Sequence, residues 1–273
     1  MNSKYMEYMV SEGMSQHTIR AYTSDINGCL EFIGKPDSEV KYADLISWKA
    51  SIVGQSSATV ARKVVSIKKY FEYLSDIEEI NRDPSAKLKN TKVQNKEKTP
   101  LTPTQVRAMI DCADKLRSKA IITMLASTGM RISELTGLTI EQFHNNPIKI
   151  VGKGNKERDI FLTAETRNVV NQYLETRGES EYGNVFLSAG RQPMQANNIS
   201  IMLKNTARKA GIENWNEISN HWLRTTAATM QSEAGQPIEV IQDILGHKSI
   251  TTTRRYVKTT QGRKEAAMTA QLF

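Results

Sequence analysis

Cysteine is scarce in this sequence, and its scarcity excludes two kinds of protein. The two cysteines, Cys29 and Cys112, lie far apart and have no metal-ligand spacing. A disulfide-stapled secreted domain needs several paired cysteines, and a zinc site needs Cys or His at short, fixed intervals. Both residues fall on apolar helical positions, so we expect buried, reduced thiols and no metal.

Long apolar runs are also missing. No stretch approaches the roughly 20 apolar residues that span a bilayer, and the N-terminus lacks the apolar core of a signal peptide. Neither an internal repeat nor a low-complexity tract is present. We therefore expect a protein that binds no membrane and works in the cytoplasm, associated with the nucleoid.

Clustered carboxylates are a third absence. A metal-dependent nuclease or transposase gathers acidic side chains as metal ligands, whereas Asp159, Glu165 and Asp243 are scattered along this chain. The pattern disfavours that class of enzyme. We expect chemistry that uses no cofactor.

Positive charge, by contrast, is abundant. The net charge of +8 lies entirely beyond residue 90, because basic and acidic side chains balance before it. Such a chain favours a polyanionic partner, above all double-stranded DNA. Charge alone leaves an ordinary basic protein equally open.

The first part of the chain, residues 1–86, predicts a compact helical domain. Apolar residues recur at helical spacing over 15–33, 42–52 and 57–75. The third of these helices has a basic face, which predicts either a DNA contact or a merely solvated surface. Residues 87–101 lose the apolar periodicity and predict an extended basic linker. The candidate DNA-contacting residues are Arg62, Lys63, Lys68, Lys69, Lys89, Lys92 and, further along, Lys156.

Residues 102–273 predict a second domain. Thr102 and Gln105 form a capping-box pattern that begins a helix, and Arg131 opens a short helix after the break at Gly129. Residues 139–162 predict a small antiparallel sheet with strands at 148–151 and 159–162. Helices are expected over 163–177, 196–210, 220–234, 237–245 and 249–258, with an amphipathic tail helix over 263–272.

The segment LGHKSITTTRRY is the chemical centre of the sequence, because in it Tyr256 follows His247 by nine residues. A free tyrosine has a pKa of about 10, so it attacks only where cations and proton acceptors surround it. Cationic residues recur in three other motifs, as Arg131, Lys153, His221 and Arg224. Together these side chains could attack a phosphodiester without a metal.

Five motifs in this order resemble the tyrosine recombinase (phage integrase) family, in its Xer-like and lambda-integrase-like members. They are TGMRISELTGL, VGKGNKER, HWLR, LGH and the tyrosine nine residues after that histidine. Residues 15–90 also resemble the family's SAM-like core-binding domain. The resemblance implies a mainly α fold with a small antiparallel β-sheet, divided into an N-terminal helical core-binding domain and an α+β catalytic domain.

The resemblance also implies a catalytic set: Arg131, Lys153, His221, Arg224, His247 and Tyr256, with Glu134 in support. Tyr256 would attack the scissile phosphate, form a 3′-phosphotyrosyl link and release a 5′-hydroxyl. Arg131 and Arg224 would hold the non-bridging oxygens, which a guanidinium fork can bind in pairs. Lys153 would protonate the leaving oxygen, and the two histidines would transfer protons and donate to the phosphate.

The implied function is site-specific DNA recombination through a Holliday junction. It would serve the integration or excision of a mobile element, or the resolution of DNA multimers. The implied partners are double-stranded DNA, further copies of the chain in a tetramer on DNA, and accessory DNA-bending proteins. The tail would pack on a neighbouring protomer, although a tail folded back on its own domain is an alternative.

Two rivals remain, a DNA-binding regulator without catalysis and a relaxing topoisomerase with the same chemistry. A pure binder has no need for Tyr256 and Arg131, and the two-domain layout favours recombination over relaxation. The chain departs from many family members at Trp222 and at Thr225–Thr226. Neither departure removes a catalytic group.

Overall fold

The structure is a computed structural model that describes residues 3–93, 99–152, 157–247 and 249–254. The chain divides into two compact units, Met1–Glu97 and Lys98–Phe273. The predicted fold class is confirmed: the chain is mainly helical and contains a two-stranded antiparallel sheet. Within the described ranges, no helix combines the length and apolar character that crossing a bilayer requires.

The first unit is helical throughout its described part. Its helices are α1 Ser3–Ser11, α2 Gln16–Ile33, α3 Tyr42–Ser51 and α4 Ser57–Asp76, with a short 3-10 helix at Asp37–Glu39. Serine side chains cap the start of two of these helices. The hydroxyls of Ser15 and Ser56 accept hydrogen bonds from the backbone N–H groups of Thr18 and Thr59. Gly34 ends α2 at a φ of +65°.

The core of this unit follows the predicted periodicity. The apolar residues that recur at helical spacing along α4 are all buried: Val60, Val64, Ile67, Phe71 and Leu74. Helix α1 was not predicted, yet Tyr5 and Met9 on it are fully buried. The Tyr5 ring meets the Tyr70 ring edge to face, with centroids 5.1 Å apart. Aromatic packing against α4 therefore stabilises α1. The local sequence pattern does not predict this packing.

The two ends of the predicted linker pack against different units. Leu88 is buried in the first core, and Lys68 and Lys49 donate to the carbonyls of Leu88 and Lys89 at 3.3 and 2.6 Å. Leu101 is buried in the second core. The helices thus hold the start and the end of the segment.

The second unit surrounds an apolar helix. Its helices are α5 Pro103–Asp111, α6 Leu116–Thr128, α7 Ile132–Gly137, α8 Ile140–His144, α9 Ala164–Arg177, α10 Ala196–Lys209, α11 Asn220–Glu233, α12 Ile238–Leu245 and α13 Ile250–Arg254, with a 3-10 helix at Trp215–Glu217. Buried residues lie on all sides of α6, including Ala120, Ile122 and Leu125. Such a helix must be covered all round, and α9 and α11 pack against it.

The hairpin β1 Ile148–Val151 and β2 Glu157–Ile160 corrects two predictions. The second strand begins and ends two residues earlier than predicted, because its register pairs Ile148 with Ile160 and Val151 with Glu157. Residues 139–147 are not part of the sheet. A capping box between Thr139 and Gln142 begins α8 there, and the spacing of Ile140 and Phe143 suits a helix.

The cysteine prediction holds in part. Both thiols are free, and Cys29 is buried. Burial raises the pKa of the Cys29 thiol to about 12. Cys112 is only half-buried, because it lies at the C-terminal cap of α5.

Candidate active site

Arg131 lies at the start of α7, two residues beyond the glycine that ends α6. Its backbone N–H and its Nη1 donate to the Glu134 carboxylate at 2.6 and 2.8 Å. Its Nη2 donates to Gly246 O at 2.9 Å. The Arg131 side chain is 30% exposed, whereas that of Glu134 is 4% exposed. Arg131 is thus oriented by the protein while part of it stays open to a ligand.

Arg224, on α11, is only 5% exposed. Its Nη1 donates to Gly129 O at 2.6 Å, and its Nη2 donates to Leu245 O. Both carbonyls belong to the C-terminal ends of helices, α6 and α12, where the helix dipole is negative. These helix ends stabilise a cation that burial would otherwise destabilise.

Arg158, on β2, is a site residue that the sequence analysis missed. Its Nη1 and Nη2 donate to the two carboxylate oxygens of Glu134 at 2.8 and 2.6 Å, and its Nε donates to Ile244 O at 3.0 Å. A signal was available in the strand alternation. Arg158 lies two residues before Ile160, on the face of β2 that is buried, and an inward-facing cation needs a partner.

Three arginines therefore donate to three successive carbonyls at the end of α12. Arg158 binds the carbonyl of Ile244, Arg224 that of Leu245 and Arg131 that of Gly246. The three guanidinium groups outnumber the single carboxylate of the cluster, that of Glu134, so the cluster has a net positive charge. Burial by itself would raise the pKa of Glu134, but hydrogen bonds from Arg158 and Arg131 outweigh it and lower the pKa to about 2.

Two glycines allow this close approach. Gly129 and Gly246 end α6 and α12 with φ near +60°, which favours glycine. A Cβ on Gly129 would lie 2.7 Å from Leu245 Cδ2 and 3.2 Å from Ala227 Cβ. A Cβ on Gly246 would lie 3.0 Å from Arg158 Cδ. Glycine at these two positions therefore lets the helix ends approach their neighbours closely.

His247 follows Gly246 and is 7% exposed. Its Nδ1 lies 2.9 Å from Thr253 Oγ1, and its carbonyl accepts a hydrogen bond from Gln242 Nε2 at 3.0 Å. Burial, together with the charges of Arg224 and Arg131, lowers the pKa of His247 to about 4. The ring is neutral at neutral pH and can donate or accept according to its tautomer.

His221 is exposed in the first turn of α11, three residues before Arg224. His221 is also among the groups that lower the pKa of His247. The structure thus brings together five of the predicted site residues: Arg131, Glu134, His221, Arg224 and His247.

The other two predicted catalytic residues, Lys153 and Tyr256, lie outside the described residues, as does the candidate DNA contact Lys156. Both lysines belong to the segment between β1 and β2, and Tyr256 follows Arg254, the last described residue of α13, by two positions. The elements that lead to them are described. Strand β2 carries Arg158, and α13 carries Thr253, whose hydroxyl contacts His247.

The departures on α11 have a structural explanation. The indole Nε1 of Trp222 donates to Thr99 O at 2.7 Å. The hydroxyl of Thr226 accepts from the backbone N–H of Leu101 at 3.0 Å. The helix that carries His221 and Arg224 thus also holds the segment that leads into the second unit.

The candidate DNA-contacting residues of the first unit are engaged to different degrees. Arg62 forms an ion pair with the buried Asp25, and Lys68 donates to Leu88 O. Lys63 is half-buried. Lys69, Lys89 and Lys92 are exposed. Their role in binding DNA stays a prediction.

A cleft of about 400 Å³ opens beside Arg131. Residues of β2 and α12 line it, among them Arg158, Asp243 and Ile244. The cleft lets a ligand approach the exposed part of Arg131. In the part of the chain that the structure describes, no three His, Cys, Asp or Glu side chains are grouped to hold a metal.

Two family models match the chain. The phage integrase family model matches residues 99–263, and the model of the phage integrase N-terminal SAM-like domain matches residues 3–77. The two matches correspond to the two units described above and together cover most of the sequence.

Curated relatives match over nearly their whole length. Tyrosine recombinase XerD of Shewanella oneidensis is 32% identical over 93% of this chain and 89% of its own. Tyrosine recombinase XerA of Pyrococcus horikoshii is 30% identical over 99% of this chain and 93% of its own.

Solved structures share the fold. A lambda integrase (75–356) dimer bound to a COC′ core site matches with a TM-score of 0.78 at 17% identity, over 94% of both chains. The crystal structure of XerA recombinase matches with a TM-score of 0.57 at 26% identity, over 99% of this chain and 98% of the other.

Proposed function

Since this chain belongs to the phage integrase family, whose tyrosine recombinases break and rejoin DNA through a tyrosine, we propose that Tyr256 is its nucleophile and that the arginine cluster at the end of α12 binds the scissile phosphate. Membership of the family makes the chain a site-specific recombinase.

The observation that carries this assignment is the set of three arginines on the carbonyls of residues 244–246. Phosphoryl transfer adds negative charge to the non-bridging oxygens, and preorganised cations stabilise that charge. Arg131 is exposed to the cleft and contacts the phosphate. Arg224 lies deeper and completes the clamp.

The proposed reaction balances without a co-reactant. The phenol oxygen of Tyr256 forms a bond to phosphorus as the bond from phosphorus to the 5′ oxygen breaks, giving a 3′-phosphotyrosyl link. Lys153 gives the proton that turns the leaving oxygen into a 5′-hydroxyl. His221 takes up the phenol proton, and the neutral His247 donates a hydrogen bond to the phosphate. The phosphodiester energy is kept in the new link, so ATP is not needed.

We also propose how the chain assembles on DNA. Residues 1–86 form the core-binding domain, 87–101 the linker and 102–273 the catalytic domain. Four copies bring two sites together and exchange strands through a Holliday junction, with accessory DNA-bending proteins and in association with the nucleoid. The DNA-bound lambda integrase dimer supports DNA binding and self-association. Integration or excision of a mobile element and resolution of DNA multimers both fit this activity.

A nicked suicide duplex tests the proposed function. The short fragment that carries the new 5′-hydroxyl diffuses away and cannot be rejoined. The wild-type chain should therefore accumulate a covalent adduct, even in excess EDTA and without ATP. Tyr256→Phe should bind the duplex with nearly unchanged affinity and form no adduct. An adduct in the Phe variant would refute the nucleophile, and a strict need for magnesium would point to a metal-dependent nuclease.

A further inference from the structure

We propose that Arg158 is a positioning residue that keeps Arg131 available to the scissile phosphate, an inference that rests on the proposed function. All three of its guanidinium nitrogens donate within the protein, to Glu134 and to Ile244 O. Its side chain is 7% exposed. Arg158 therefore acts through other residues and has no need to touch DNA.

Glu134 is the residue that Arg158 and Arg131 share. Glu134 Oε1 accepts from Nη1 of both arginines at 2.8 Å. Glu134 Oε2 accepts from Arg158 Nη2 and from the Arg131 backbone N–H, each at 2.6 Å. One carboxylate thus lies between two guanidinium groups, and each group compensates part of its charge.

The shared carboxylate determines how much of Arg131 remains for a phosphate. A buried carboxylate must be compensated by cations and hydrogen bonds. Without Arg158, the Arg131 guanidinium would be the only side-chain cation that donates to Glu134 in the described structure. The carboxylate would then compete with the phosphate for Arg131. With Arg158 in place, Glu134 orients Arg131 without neutralising it.

Arg158 also joins the elements that carry other proposed catalytic groups. It lies on β2, opposite Ile150 in the hairpin whose connecting segment contains Lys153. Its Nε contacts the end of α12, which leads directly to His247. The single side chain therefore sets α7, the hairpin and the end of α12 relative to one another.

A purely structural ion pair is the competing explanation, and the charge of the substrate separates the two. If Arg158 acts through Arg131 on the non-bridging oxygens, its contribution depends on their charge. A methylphosphonate at the scissile position replaces one charged oxygen with a methyl group. The transition state on this substrate therefore carries less negative charge and depends less on the arginines. A structural defect would be the same on both substrates.

The experiment compares Arg158→Lys with Arg177→Lys in single-turnover cleavage of a nicked duplex. Lysine keeps the charge but loses the planar fork. Arg177 is the matched control, because it also donates to several carbonyls, those of Asn184 and Tyr182, within the same unit but outside the site. Thermal unfolding of both variants measures any loss of stability.

We expect Arg158→Lys to slow cleavage of the phosphate duplex by roughly 10²-fold, the scale of losing one oxyanion donor, with unchanged DNA affinity. On the methylphosphonate duplex its defect relative to wild type should shrink at least about tenfold, as should that of Arg131→Lys. Arg177→Lys should cleave both duplexes at the wild-type rate.

Wild-type rates for Arg158→Lys, or an equal defect on both duplexes, would overturn the inference. Failure of the wild-type chain to form the Tyr256 adduct would instead overturn the proposed function. If Arg158→Lys does not fold, the double variant Arg158→Gln with Glu134→Gln provides the test, since it removes the buried cation together with the carboxylate that would compete for Arg131. The double variant should cleave the phosphate duplex within about tenfold of the wild-type rate, whereas a loss of roughly 10²-fold would refute the role.

Discussion

The indole Nε1 of Trp222 donates a hydrogen bond to the carbonyl of Thr99 at 2.7 Å. Two positions later on the same helix, Arg224 binds the carbonyls at the ends of α6 and α12. One helix thus carries both an arginine of the phosphate clamp and the anchor for the segment entering the second unit.

Trp222→Phe loses the N–H donor and also leaves a small cavity, because phenyl is smaller than the indole, which is buried here. We expect the free energy of unfolding to fall by about 2–3 kcal/mol, measured by denaturant titration. Trp215→Phe is the matched control, because the Trp215 ring stacks against Arg208 at 5.5 Å and a phenyl ring keeps that contact. Equal losses in the two variants would mean that the bond to Thr99 contributes little.

Gly129→Ala should be strongly destabilising. The variant combines left-handed strain with a Cβ placed 2.7 Å from Leu245 Cδ2, and together these cost roughly 2–4 kcal/mol. Gly211→Ala has a similar φ of +70° and nothing within 4 Å of its Cβ, so it should cost only about 1 kcal/mol. Similar losses would show that the tight contact relaxes at no cost.

Acid should weaken the fold through His247. Its pKa falls from 6.5 to about 4 in the folded chain, so the unfolded chain binds its proton first. The neutral His247 contributes its full stabilisation above pH 6.5. As the pH falls from 6.5 to 4, the free energy of unfolding decreases by about 3 kcal/mol at most. The pKa of Glu134 is lowered to about 2, so the contribution of Glu134 to stability is lost at lower pH than that of His247.

His247→Gln should flatten this part of the curve. The measurement is the free energy of unfolding at several pH values between 6.5 and 4, for the wild type and the variant. Parallel curves would contradict the lowered pKa.

Lys153→Ala should slow cleavage by about 10²–10⁴-fold, the usual contribution of a general acid, and by far more than Lys156→Ala. A duplex with sulfur at the bridging 5′ position should restore the rate, because a thiolate leaves without protonation. The two rates come from the same single-turnover assay. Equal defects in both variants, without rescue by sulfur, would exclude Lys153 as the acid.

Deletion of residues 263–273 should spare binding to a single site and abolish cooperative assembly and recombination. The expectation follows from the short amphipathic tail, which needs a docking surface and would close a ring if it docks on a neighbouring copy. Gel shifts with one and two sites measure both properties, and single-site binding controls for folding. Synaptic complexes at wild-type concentration would contradict docking on a neighbour.

Local pattern was sufficient for most helices. The inward residues of α4 follow from apolar spacing, and the start of α5 follows from the capping box of Thr102 and Gln105. Local pattern was insufficient in two places. We expected part of the sheet where the capping box of Thr139 and Gln142 begins a helix, and α1 depends on packing against Tyr70.

Motifs and periodicity within single elements were enough to predict the family, the helical architecture and the residue types of the candidate site. What holds the arginines depends instead on contacts between distant parts of the chain. Arg131 and Gly246 are 115 residues apart, and Arg158 and Ile244 are 86 apart. Their acceptors are backbone carbonyls at a helix end, and every residue type has a carbonyl. Packing, which brings one helix end against three arginines, is therefore what makes those carbonyls part of the site.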